Sequence, residues 1–353
     1  MGLYDDDEEL AAPTPTTSDE AAPPLKRTKL DDVDNLQEAS NGIAYSAAAG
    51  DPSKFADKAK PASGSVSLVW SLCAKKGERE DMQDAHLVVE RMLAGKNDVV
   101  RCAIFGIFDG HAGARAALHC EHHLAGLLEE KLKKAESLEI MEKALKRYFT
   151  EVYRQLDDQF LAEAKKNKPV WKDGTTATTA LLLNNTIYVA NIGDSRAIVA
   201  RQKEDGSGAV AVPLTVDHNP TIHEERMRIQ KTGASVIDGR VNGSLEVSRS
   251  IGDGHFKANG VISTPDMRKL ALTDRDRFLL VACDGLWKVF SNEAAIEYVT
   301  EKLNKAKKVE SVIAADSPEN AAWDYVAEEM AAEAVRRKCG DNVSVIIVRL
   351  TRI

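Results

Sequence analysis

From about residue 63 onward the chain breaks into short apolar runs bounded by Gly, Asp or Asn: residues 65–72, 86–92, 102–108, 178–183, 186–192, 197–200, 277–283 and 343–350. Each is four to eight residues long and rich in aliphatic and β-branched side chains, which predicts strands. A 3.6-residue apolar repeat instead covers residues 114–132, 138–165, 222–232, 292–304 and 318–337, which predicts helices. Turns as short as Asn184-Asn185 and Gly193-Asp194 separate successive strands. Such neighbours must be antiparallel, because a parallel return needs a crossover of about a dozen residues. The expectation is a sheet-rich α+β domain with long helices packed outside, and not a doubly wound nucleotide fold.

The first 62 residues have a different texture. They hold six of the eleven prolines and an acidic run from Asp5 to Glu9. So little apolar surface does not offset the entropy of ordering a chain, and a disordered acidic tail is expected for residues 1–62, with the folded domain at 63–353. Of the formal net charge of −8, residues 1–60 carry −7 (13 Asp and Glu against 6 Lys and Arg), which leaves −1 for the rest. The folded part is close to neutral, so a nucleic-acid partner is not expected. Inside the tail, Lys26-Arg27-Thr28-Lys29 is either a solvated stretch or a weak nuclear import signal, so the location expected is cytoplasmic, nuclear or both. No apolar run approaches a membrane span, the start lacks the order of a signal peptide, and Asp6 stands where a myristoylation signal wants Ser or Thr. Five cysteines with no C-x-x-C spacing point to neither a disulfide framework nor a zinc ribbon. A monomer in a reducing compartment is the expectation.

The chemistry is concentrated where aspartates end strands. The run 105–108 leads into Asp109-Gly110-His111, and 278–282 leads through Cys283 into Asp284-Gly285. Singly, an Asp-Gly pair is most simply a turn. After a buried strand, however, the Asp is held rigidly and the following Gly lets backbone approach an ion. Asp341-Asn342 just before the last strand and Asp84 just before another extend the set. Carboxylate and carbonyl ligands without sulfur suit Mg2+ or Mn2+ and suit zinc poorly.

Eight blocks in order carry a resemblance: Arg79 with Asp84-Ala85-His86, Asp109 to Gly113, Asp173 to Ala177, Asn191 to Arg196, Glu246 to Asp253, Ile262 to Asp266, Ala282 to Trp287, and Asp341-Asn342. Together they resemble the PP2C (PPM) family of metal-dependent serine/threonine protein phosphatases, over about residues 63–352. Within it, residues 76–84 and 171–174 look like the integrin-linked-kinase-associated type. The resemblance implies a sandwich of two antiparallel β-sheets flanked by helix pairs, with two Mg2+ or Mn2+ ions at one end. It implies that Asp109 bridges both ions, that the Gly110 carbonyl binds one, that Asp284 and Asp341 complete the other, and that Asp84 holds metal-bound water. Many members carry Glu-Asp where this chain has Gln83-Asp84, so one charge is missing there. The substrates implied are phosphoproteins, and a weaker third ion near Asp173 is a further implication.

Two divalent ions about 4 Å apart deprotonate a shared water near neutral pH and clamp phosphoryl oxygens for in-line attack, so no phosphoenzyme is needed. Arg79 offers a planar, permanently charged fork for phosphate oxygens. His111 is expected to protonate the departing serine or threonine oxygen. Gly193 to Arg196 reads most simply as a structural turn, and Arg249 and Asp253 as salt-bridged framework beside the cleft. Specificity is expected from the stretch 255–276 and from the acidic tail.

Other readings compete. His119 and His123 are one helical turn apart, but no further ligand is apparent, so a helix surface is favoured over a metal site. Cys73 and Arg79 share the C-x5-R spacing of cysteine-dependent tyrosine phosphatases, yet Glu78, Glu80 and Asp81 would repel phosphate there. A phosphatase-shaped binding protein would have lost ligands, and Asp109, Asp284, Asp341, Arg79 and His111 are all present. A hydrolase of small phosphoesters stays open, because the motifs fix the reaction and not the leaving group.

Overall fold

The computed structural model describes residues 68–93, 96 and 98–353; the tail with its basic island, and the first residues of the 65–72 run, lie outside them. In chain order the elements are β1 (Trp70–Lys75), β2 (Ala85–Val89), β3 (Cys102–Phe108), β4 (Gly110–His111), α1 (Arg115–Lys133), α2 (Leu138–Ala164), β5 (Gly174–Thr175), β6 (Ala177–Leu183), β7 (Thr186–Ile192), β8 (Arg196–Gln202) and β9 (Ala209–Pro213). There follow α3 (His223–Lys231), β10 (Val236–Ile237), β11 (Arg240–Val241), β12 (Ile251–Gly252), β13 (Asp266–Ala271), β14 (Asp276–Ala282), α4 (Asp284–Trp287), α5 (Asn292–Ala306), α6 (Glu310–Ile313), α7 (Pro318–Arg336) and β15 (Val343–Arg349).

Two five-stranded antiparallel sheets form, in the orders β1-β15-β14-β8-β9 and β13-β7-β6-β3-β2. The two-residue period of a strand explains how they stack. In β3, Ala103, Phe105 and Ile107 face the other sheet, where Leu279 and Val281 of β14 and Ile346 and Val348 of β15 meet them. The alternate residues Ile104 and Phe108 face outward, into Leu124, Leu128, Met141 and Phe149 of α1 and α2. Leu280 and Ala282 of β14 likewise point the other way, into Trp323, Val326 and Met330 of α7. Each central strand is thus buried on both faces, which is why it reads as a continuous apolar run and not as an alternation. The result is the expected α-β-β-α sandwich.

The five predicted helices are α1, α2, α3, α5 and α7, each within two residues of the repeat, and the four-residue α4 and α6 have no predicted counterpart. Ser137 and Ser291 cap α2 and α5 by accepting the backbone N–H of Ile140 and Ala294. Strand boundaries moved more: the 65–72 run is realised as β1 at Trp70–Lys75. Within the five-stranded sheets, two strands without a predicted counterpart, β9 and β13, lie at the edges. Their side chains are mostly exposed or half-buried, so they lack the apolar density that marks a strand. Residues 266–271 of the stretch assigned to specificity are therefore an edge strand on β7; of that stretch, His255 and Phe256 line the cleft.

Candidate metal centre and active site

The carboxylates converge because several strand ends meet at one edge of the sandwich. Asp109 follows β3, and its backbone is fastened to the start of the neighbouring strand β6: its N–H donates to the Thr176 hydroxyl at 3.1 Å, and its carbonyl accepts the Thr176 N–H at 2.9 Å. Asp284 follows β14 and opens α4. Asp194 occupies the turn between β7 and β8. Asn342, ahead of β15, ties down the loop before β2: its Nδ2 donates to the carbonyls of Lys76 and Asp81, and its Oδ1 accepts the Gln83 N–H at 2.8 Å. The adjacent Asp84 accepts the Ser344 hydroxyl at 2.7 Å. Gly110 has no alternative here, because a Cβ would stand 2.2 Å from the Gln83 carbonyl oxygen.

Two groups of potential ligand atoms result, each within 4.8 Å of one another: Asp109, Asp194 and Asp284; and Asp84, Asp109 and the Cys283 sulfur. Asp109 belongs to both. Burial first, and the neighbouring carboxylates second, push Asp109 well above the usual range. Burial likewise carries Asp84 to about 6 and Asp194 to about 7, and raises Asp284. So many carboxyl groups gathered out of water repel one another as anions, and a divalent cation is what reverses that balance. The donor set fits hard ions. Burial lifts the Cys283 thiol far above its ordinary value, and a soft sulfur suits a hard divalent ion less well than the carboxylates around it.

Asp341 joins this centre through cations. Its Oδ2 accepts Arg79 Nη2 at 2.9 Å and Lys288 Nζ at 2.7 Å, and Lys288 also lies 2.7 Å from Asp284. Burial pulls Lys288 down, but these two carboxylates hold it above the usual amine range. Arg79, with its Nε on the Gly340 carbonyl, is anchored to the Asp341 carboxylate as well as facing the cleft.

His111 comes from the short pairing of β4 with β5. Its Nε2 is 2.8 Å from Asp253 Oδ2, which also accepts the Ser250 hydroxyl at 2.6 Å. Burial lowers the imidazole pKa, but the Asp253 carboxylate more than offsets this and holds it above its ordinary value. A Cβ on Gly174 would stand 2.2 Å from Asp253 Oδ2 and 2.4 Å from His111 Nε2. Only glycine leaves room for the pair.

All seven residues singled out from the sequence line or flank one cleft of about 600 Å3. Asp194, read as a turn, belongs to the carboxylate group; its signal was the same strand-end position that marked Asp109. Lys288 and the partnership of Asp253 with His111 were also unread. Asp173 is fully engaged elsewhere, with both oxygens on the Arg115 guanidinium at 2.7 and 2.8 Å, and among the described residues no ligand group forms around it. Arg249 is the ion-paired framework expected, joined to Asp266 at 2.8 Å and to Glu225 at 2.7 Å, whereas Asp253, expected in the same framework, pairs with His111 instead. The rings of His119 and His123 lie 4.5 Å apart, tilted by 52°, without a third ligand among the described residues. Burial raises the Cys73 thiol, the opposite of what a nucleophilic thiolate needs.

A family profile for protein phosphatase 2C matches residues 68–343. The chain belongs to the protein phosphatase 2C family. It is therefore a serine/threonine protein phosphatase of a metal-dependent family. Among its relatives, the integrin-linked kinase-associated serine/threonine phosphatase 2C of Bos taurus is 44% identical over 297 residues, covering 82% of this chain and 79% of that one. The human protein of the same name is 44% identical over 282 residues, covering 78% and 71%. Probable protein phosphatase 2C 8 of Arabidopsis thaliana is 32% identical across 97% of this chain and 95% of its own. The phosphatase also shares its fold with the crystal structure of serine-threonine phosphatase 2C from Toxoplasma gondii, with a TM-score of 0.68 over 80% of this chain and 95% of that one, at 21% identity.

Proposed function

We propose that this phosphatase hydrolyses phosphoserine and phosphothreonine in proteins with two divalent ions, Mg2+ or Mn2+, and without a phosphoenzyme. The observation that supports this reading is the position of Asp109, whose carboxylate lies with those of Asp194 and Asp284 in one group and with that of Asp84 in the other. Sharing of that kind suits a bridging ligand between two ions. Asp109 would bridge, the Gly110 carbonyl would serve one ion, Asp284 and Asp341 the other, and Asp194 adds a carboxylate to the same group. Asp84, held by Ser344, is placed to fix surrounding water. Bound there, the ions would supply an activated water and neutralise the phosphoryl oxygens.

The chain's own side chains do the rest. His111, kept protonated by Asp253, gives its proton to the departing serine or threonine oxygen, whose unassisted loss as alkoxide is slow. The planar fork of Arg79 matches phosphate oxygens. Lys172, Arg240, His255 and Phe256 on the rim of the cleft meet the peptide around the phosphate. The relatives named for association with integrin-linked kinase suggest phosphoproteins of kinase assemblies as the substrate class.

The test is hydrolysis of a phosphothreonine peptide by the full chain with Mn2+, with EDTA, and with Cys73→Ser in parallel. Activity that needs metal and ignores the cysteine change is expected. Activity that survives EDTA and is lost in Cys73→Ser would overturn the reading in favour of a thiolate enzyme. Inactivity with every divalent ion would favour a phosphatase-shaped binding protein.

A further inference from the structure

Lys288 belongs to none of the residues that the sequence singled out for the site, yet its ammonium stands inside the carboxylate centre. Its Nζ lies 2.7 Å from Asp284 and 2.7 Å from Asp341 Oδ2. Helix geometry explains the first contact, since Lys288 follows Asp284 by four residues, one turn along α4 and just past its end. Convergence of the loop before β15 explains the second. A unit positive charge is thereby fixed against two carboxylates that, on the reading above, serve a divalent ion.

Such a charge acts in two directions. It repels a further cation bound by the same carboxylates, and it attracts an anion arriving at the cleft that it lines. The charge count shows how much is at stake. Asp84, Asp109, Asp194, Asp284 and Asp341, if all are ionised, carry five negative charges. Two divalent ions bring four positive ones, and Arg79 and Lys288 bring two more. The loaded centre is then positive by one charge with Lys288 and neutral without it, before a phosphate dianion enters.

We propose, resting on the two-ion reading, that Lys288 is a resident cation that lowers the affinity of the centre for divalent metal and raises its affinity for the phosphate group. A role as a mere clamp between Asp284 and Asp341 makes a different prediction. Loss of a clamp loosens the site and weakens both ligands together; loss of a charge moves them in opposite directions.

The experiment uses the full chain and two probes. Mn2+ binding is read from the electron paramagnetic resonance signal of free Mn2+, and inorganic phosphate binding is read by calorimetry at saturating Mn2+. Lys288→Met is expected to bind Mn2+ more tightly, on the order of tenfold, and phosphate more weakly by a similar factor. Lys288→Gln should behave in the same way, and Lys288→Arg should stay near wild type in both. Weakening of both ligands in Lys288→Met and Lys288→Gln, or no change in either, would overturn the proposal. Asp109→Asn is the control for the reading beneath it. If that substitution leaves the Mn2+ stoichiometry intact, the shared-ligand centre itself is wrong and the proposal falls with it; loss of Mn2+ binding in Asp109→Asn with no effect of Lys288→Met refutes the Lys288 proposal alone.

Discussion

His111 Nε2 lies 2.8 Å from Asp253 Oδ2, so the histidine that faces the cleft is held by a carboxylate with almost no exposure of its own. The pairing stabilises the imidazolium and fixes the ring. Asp253→Asn is expected to slow hydrolysis of a phosphothreonine peptide by roughly ten- to a hundredfold, with a clearly smaller loss on p-nitrophenyl phosphate, whose leaving group needs no proton. His111→Ala should show the same selectivity. Steady-state rates on both substrates check this, and equal losses on the two would remove His111 from the acid role.

The metal centre makes its own prediction. Asp109→Asn and Asp284→Asn should each reduce turnover by roughly a hundredfold or more, because the ligand group loses a charge. Asp194→Asn is expected to do likewise, although the residue reads as a turn, since its carboxylate lies with theirs. Far-ultraviolet circular dichroism should be unchanged in all three. Retention of full activity in Asp194→Asn would show that this carboxylate serves only the turn.

Gly174 tests the packing beneath the His111–Asp253 pair. A methyl group there would meet the Asp253 carboxylate and the His111 ring inside 2.5 Å. Gly174→Ala should therefore displace one of them, with about 1–3 kcal/mol lost in stability and the selective loss on phosphothreonine peptides described for Asp253→Asn. Thermal denaturation and the two-substrate comparison measure the two effects independently.

Away from the centre, Glu225 ties α3 to the cleft-side loops: its carboxylate accepts Arg228 at 2.6 Å, Arg249 at 2.7 Å and the Ser248 hydroxyl. Burial pushes its pKa up, but Arg228 and Arg249 bring it down to about 2, from an ordinary 4.5. A depressed carboxyl contributes stability that is complete above the unfolded value and is lost as pH falls through the folded one. The window is thus pH 4.5 down to about 2, and the amount at stake is on the order of 3 kcal/mol. Melting temperatures of wild type and Glu225→Gln should differ most above pH 4.5 and converge below it; a constant difference would refute the linkage.

His119 has the opposite chemistry and the same sign. Burial in the first place, and then His123 beside it, lower its pKa from 6.5 to about 4. The folded state therefore binds fewer protons than the unfolded one, and stability falls as pH drops from 6.5 toward 4. His119→Gln should flatten that part of the melting curve series against pH. A slope unchanged by the substitution would assign it to other groups.

What the linear order determines here is local. Apolar runs of strand length, a 3.6-residue repeat in five segments and short polar turns suffice for a sheet-rich antiparallel α+β domain, because strand and helix periods are set by the backbone; the two-sheet sandwich came from the family resemblance. Asp109 and Asp284 are legible for the same reason: a carboxylate directly after a buried strand and directly before a glycine is a local pattern. Edge strands β9 and β13 are not legible, since half of what defines them is hydrogen bonding to a neighbour. Nor are the Asp253 partner of His111 and Lys288. Each is an ordinary residue in its own segment, and each acquires its role from charges brought beside it by packing of distant strands. Coulomb interactions and desolvation depend on distance in space, so the chain order names the carboxylates, and only the folded sandwich decides which of them come together and which cation stands among them.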